Sequence, residues 1–187
     1  MPVGYDQDGD IEYEQDERIE SWPARFKRDR PDWFQKLESY IKHERAHDFA
    51  GCLLQVYTAL DHDLNVLAVI GIRTTFDVAS EILGVDPDQA FESKLQAMED
   101  KGLITPSQRT EFDILINAGN ASAHRGWTPE FKDLDALMDT LEHFINAQFV
   151  APRLRELTAK KVAEMKGKVP ARPKKAKAAT PKPPPNT

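Results

Sequence analysis

The sequence predicts an all-α protein, a compact bundle of about five to six helices with disordered termini. Two observations carry this. Apolar residues recur at three- and four-residue spacings in one segment after another, as one-sided helices require. Helix start and stop signals then separate those segments, and a strand-like stretch occurs only as two β-branched clusters inside a run too long to be a strand.

Taken in order, Pro31 and Asp32 suit a first helical turn, and Trp33, Leu37 and Ile41 follow at a spacing of four. A second helix, either separate from the first or continuous with it, spans about Asp48 to Leu60, with Phe49, Leu53, Val56 and Tyr57 on its stripe. Asp61-His62-Asp63 reads as a loop into the most apolar helix, Leu64 to Leu83. That helix is apolar nearly all round over Val66–Ile72, so it is expected at the centre of the bundle, with Gly84 as its stop. Asp86 to Asp100 carries Phe91, Leu95 and Met98 inward and stops at Gly102. Thr105-Pro106-Ser107-Gln108 is a capping box with Pro at the first helical position, opening a helix with Phe112, Leu115 and Ile116. Thr128-Pro129-Glu130 repeats that logic for a helix through about Phe149, with Leu134, Leu137, Met138, Leu141 and Ile145 inward. A polar helix follows Pro152.

The chain has 187 residues, 40% of them hydrophobic, with three Trp. That suits one domain with tails. The organisation expected is an acidic disordered segment over 1–21, a helical bundle over 22–152, a helix over 153–167 and a disordered tail over 168–187. The net charge of −6 hides an asymmetry. Residues 1–20 hold eight acids against Arg18, and residues 153–187 hold eleven bases against Glu156 and Glu164. A basic, Pro-, Lys- and Ala-rich tail on an acidic body either attracts RNA or another anion or simply keeps the chain solvated. No stretch approaches the roughly 18 apolar residues of a membrane span, and no export signal opens the chain. A cytoplasmic protein with no membrane association is expected. The single cysteine, Cys52, sits in an apolar run, excludes an intramolecular disulfide and reads as a small buried residue.

Three features bear on chemistry. Arg73 falls on or beside the buried stripe of the central helix, with Asp77 one turn on. The two are either an ion pair that fixes helix packing or an arginine presented to an anion. In the stretch Asn117 to Trp127, small residues allow close helix approach, and Asn120 and His124 share a face four residues apart. His124, flanked by Asn120 and Arg125, suits acid–base work or phosphate binding, or else caps the helix. His43-Glu44-Arg45-Ala46-His47 matches a helical zinc pattern, but it lacks a third ligand and sits among charges, so it reads as a solvated face. No metal and no cofactor are expected.

Three blocks resemble a bacterial family, domain of unknown function 4145: Leu53 to Leu60 with Ala68 to Asp77, Lys94-Leu95 through Ile104, and Ala118 to Trp127. That family resembles the HEPN superfamily, helical domains of ribonuclease toxins, defence systems and non-catalytic adaptors. Active HEPN nucleases place an Arg about four to six residues before a His, with a polar residue after the Arg. Asn120 and His124 match the polar residue and the His, whereas Gly119 stands where the Arg would be. The resemblance therefore implies a non-catalytic or regulatory interaction module, with a homodimer as one option, whose ligand-binding residues are Arg73, Asp77, Asn120, His124 and Arg125 and whose partner is RNA, another anion or an unidentified protein. It implies, as the other reading, a divergent metal-independent ribonuclease with His124, Arg73 and Arg125 as catalytic residues.

Overall fold

The computed structural model describes residues 28–166 and 168–170 in full and residues 2–5 and 11–13 in backbone only. The acidic segment and the basic tail lie for the most part outside these residues. At the start of the chain β1 (Pro2–Tyr5) and β2 (Ile11–Tyr13) pair antiparallel, with Gly4 opposite Glu12 and Tyr5 opposite Ile11. Everything else regular is helical: α1 (Leu37–Tyr40), α2 (Ala46–Asp61), α3 (Asn65–Ile82), α4 (Phe91–Asp100), α5 (Pro106–His124), α6 (Phe131–Ile145) and α7 (Ala151–Lys166). The all-α bundle with about six substantial helices is what the periodicity predicts.

Several boundaries follow the expected chemistry. Thr105 accepts from the Gln108 N–H and Gln108 accepts from the Thr105 N–H, closing the capping box with Pro106 at the first helical position. Gly84 and Gly102 stop α3 and α4 at φ of 78° and 68°, a conformation that costs a glycine nothing.

Others differ. The first helix is not continuous with the second: a 3-10 turn (Phe34–Lys36) and the single turn of α1 end at an extended Ile41. Past it the His43 Nδ1 accepts the Arg45 N–H at 3.1 Å, a local bond that competes with a helix through this stretch. α4 starts at Phe91 rather than near Asp86, and α6 is capped by Glu130, paired reciprocally with Asp133, rather than by Thr128. α6 does not end in a loop before the last helix. It runs through a π-helical turn, Asn146–Val150, straight into α7. Pro152 in the first turn of α7 has no N–H to give back, and the wider turn before it lets the helix continue past it.

α3 packs on α2, α5 and α6. Its core contact is aromatic: Phe76 stacks on Phe112 with centroids 4.5 Å apart, and Phe144 lies 5.2 Å from both. Phe49 and Phe149, also 5.2 Å apart, tie α2 to the π-helical turn. The central helix is not enclosed all round. Ala68, Val69, Ile72 and Phe76 are buried, while Leu67 is 57% exposed and opens, with Leu54 and Leu64, a groove of about 510 Å³ between α2 and α3.

At the start of the described bundle Arg28 is held by α6. Its guanidinium meets Asp135, Asp139 and Glu142, which lie on one face of that helix, and Glu142 also accepts from the buried Tyr57 hydroxyl at 2.5 Å. Burial works against the Arg28 charge, but the bonds to Glu142 and Asp139 outweigh it and raise its pKa. No helix among the described residues is long and apolar enough to cross a membrane.

Candidate functional site

The site is built where α3, α4 and α5 meet. Arg73 leaves the half-buried side of α3 and its stem runs across the backbone of Gly119 on α5. A Cβ at position 119 would stand 2.6 Å from the Arg73 Cδ and 2.7 Å from its Cβ, closer than carbon atoms approach. The guanidinium then lies over the Phe91 ring at the start of α4, 4.4 Å from its centroid, a contact worth about 0.5–2 kcal/mol. Among the described residues no acceptor reaches it, and its Nε is buried without a partner.

Asp77 does not hold Arg73. Its carboxylate accepts from Lys94 Nζ at 2.6 Å, and that ammonium is 4% exposed. The i,i+4 spacing makes an Arg73–Asp77 pair available, but a buried lysine arriving from α4 has more to gain from the carboxylate than a partly exposed arginine does, because an unpaired buried ammonium is the costlier of the two. Lys94 also lies 5.2 Å from the Phe91 centroid. Two cations thus share one ring, one neutralised by Asp77 and the other uncompensated. Phe91 and Lys94 are residues the sequence reading placed in the helix without assigning them a role. Their only signal is a lysine three residues after a phenylalanine on a helix whose inward stripe includes the phenylalanine.

The remaining candidates stand apart from this corner. Asn120 is half-buried and His124 exposed, and neither side chain makes a hydrogen bond among the described residues. On a helix of about 3.6 residues per turn they lie roughly 40° apart, while His124 is about 140° around from Gly119. The Arg73 contact and the Asn120–His124 stripe therefore occupy different sides of α5. Arg125 donates from Nη2 to the Asn117 carbonyl at 3.1 Å, folding back along the last two turns of α5. Ser122, one turn past Gly119 on the buried side, has an Oγ with no partner.

The zinc pattern does not form. His43 and Glu44 lie in the bend before α2 and only His47 is helical, with its Nδ1 3.4 Å from Glu38. Among the described residues no cluster of three His, Cys, Asp or Glu could hold a metal ion. Cys52 is half-buried, and burial, with the Asp48 charge, pushes its thiol up, away from the thiolate a nucleophile needs.

Residues 55–169 match the family described as Domain of unknown function (DUF4145). The chain belongs to that family. No curated protein and no solved structure matches it. The DUF4145 match spans α3 to α7 and so contains the whole Arg73 corner, Gly119, Asn120, His124 and Arg125, whereas Arg28 and the His43 bend precede it.

Proposed function

We propose that this DUF4145 chain is a non-catalytic or regulatory helical interaction module that takes an anionic group at Arg73. The observation that carries the reading is the unmatched guanidinium. Arg73 is fixed between Gly119 and Phe91, has no hydrogen-bond acceptor among the described residues and is one helical turn from a carboxylate already taken by Lys94. A fixed arginine without a counter-charge suits an incoming phosphate or carboxylate oxygen. The uncharged groove between α2 and α3 suits a protein partner, a second copy of the chain included. Its Thr58 and Thr74 hydroxyls donate to the carbonyls of Leu54 and Ile70, at 2.9 and 2.8 Å, so both are already satisfied within their own helices.

The HEPN resemblance keeps a ribonuclease as the second reading, favoured by one observation: His124 is open to solvent with Asn120 one turn behind it. Against it, His124 has no neighbour that orients its ring, and Arg73 contacts a different side of α5.

The test combines two measurements. Inorganic phosphate should raise the thermal midpoint of the wild type and not of Arg73→Gln, and RNA should stay intact in EDTA at low salt. Cleavage present in the wild type and lost in His124→Ala would establish the nuclease instead. A phosphate response unchanged by Arg73→Gln would remove Arg73 as the anion site.

A further inference from the structure

A second cavity lies away from the Arg73 corner, at the end of the bundle where α1, the end of α3, the π-helical turn and the start of α7 converge. It encloses about 280 Å³, at the small end of ligand pockets. Its walls include Ile41, Ile82, Leu83 and Phe149, and its polar rim includes Tyr40 and Arg153. The protein has built this place from departures from regular structure. Ile41 is extended where a helix would continue, and the π-helical turn carries Gln148 and Phe149.

Arg153 is what makes the cavity more than an apolar hollow. Its Nη1 donates to Glu156 at 2.6 Å, its Nε is buried without a partner, and its Nη2 meets no acceptor among the described residues. A guanidinium with N–H groups that meet no protein acceptor is the group from which a carboxylate accepts charge-assisted bonds. The surrounding charge has the right sign. Among the described residues that line the cavity Glu156 is the one carboxylate, and it is already shared by Arg153, Lys160 at 3.1 Å and Lys42 at 3.7 Å. Hydrogen bonds from Arg153 and Lys160 hold Glu156 down to about 2, so it stays ionised and committed to these bases. Three cations against one carboxylate leave a net positive rim on an apolar hollow.

We infer that this cavity binds a small amphiphilic carboxylate, its carboxylate on the Nη2 side of the Arg153 guanidinium and its short hydrocarbon body against Ile41, Leu83 and Phe149. Inorganic phosphate fits less well, because it has no hydrocarbon body to place against those walls. The site is independent of the Arg73 reading, and either can fail without the other.

The test is a titration of the full chain with hexanoate, hexanamide, acetate and inorganic phosphate, followed by isothermal calorimetry and by shifts of Phe149 ring signals. Hexanoate should bind saturably. Hexanamide, which lacks the charge, and acetate, which lacks the chain, should each bind at least tenfold more weakly. Arg153→Lys keeps the charge but loses the fork and should weaken hexanoate about tenfold. Leu83→Trp should block it by filling the hollow, with circular dichroism confirming that both variants remain folded. No saturable hexanoate binding, phosphate binding more tightly than hexanoate, or equal affinity in the wild type and both folded variants would each overturn the assignment.

Discussion

Arg73 and Gly119 occupy one another's space: the stem of the arginine fills the volume that any side chain at position 119 would need. In the HEPN pattern that the sequence resembles, an arginine would be expected at position 119. In this chain the volume beside α5 is taken instead by an arginine delivered from α3, and that guanidinium is drawn off to Phe91 on α4. Glycine at 119 is therefore a packing requirement of the α3–α5 contact.

Gly119→Ala should destabilise the protein even though alanine is the better helix former by about 1 kcal/mol. The new Cβ would stand 2.7 Å from the Arg73 Cβ, an atom that cannot swing away. The two helices must separate, at about 1–3 kcal/mol for overpacking. Arg73→Ala should not rescue it, because that variant keeps the offending Cβ, whereas Arg73→Gly should recover most of the loss in the packing contribution. Denaturant midpoints of the single and double variants measure this. A Gly119→Ala protein as stable as the wild type would show that α3 and α5 do not pack this closely in solution.

What was legible in the sequence divides along local and non-local lines. The Thr105–Gln108 box and the Gly84 and Gly102 stops are decided within four residues, and they came out as their chemistry requires. The Arg73–Asp77 pairing used a sound local rule and was overridden by Lys94, seventeen residues further along the chain, because the deeper of two cations takes the carboxylate. The His43–His47 pattern presumed a helix that the extended Ile41 and the His43–Arg45 bond interrupt. The Arg153 cavity had no sequence signal at all, since it exists only where four separate elements meet.

The Tyr57–Glu142 bond should appear in the alkaline stability profile. Burial first, then the hydrogen bond to Glu142 and its charge, raise the Tyr57 pKa well above the ordinary tyrosine value of about 10. In the unfolded chain the phenol loses its proton near pH 10, while in the folded chain it keeps it. Its contribution is therefore fully present below about pH 10 and is lost as pH rises from there towards the folded value, by up to about 1.4 kcal/mol per pH unit. Tyr57→Phe should be less stable at pH 8 by about 1 kcal/mol, the worth of the lost bond, yet flatter between pH 9 and 11. Parallel stability curves for the two proteins would mean that Tyr57 titrates normally when folded.

Asp77 and Lys94 test the division of labour at the site itself. Asp77→Asn leaves an ammonium that is 4% exposed without its counter-charge, and removing one partner of a buried pair costs about 3 kcal/mol. Asp77→Leu combined with Lys94→Met removes both charges and should return to within about 1 kcal/mol of the wild type, since an apolar pair of similar bulk replaces an ion pair there at little net cost. The same double variant also separates Arg73 from Asp77. With Asp77 serving Lys94 alone, the phosphate response that depends on Arg73 should persist in the double variant with its midpoint concentration changed by less than threefold. If Asp77 were instead the counter-charge of Arg73, removing it would free the guanidinium and sharpen phosphate binding about tenfold, and thermal melts across a phosphate series distinguish the two.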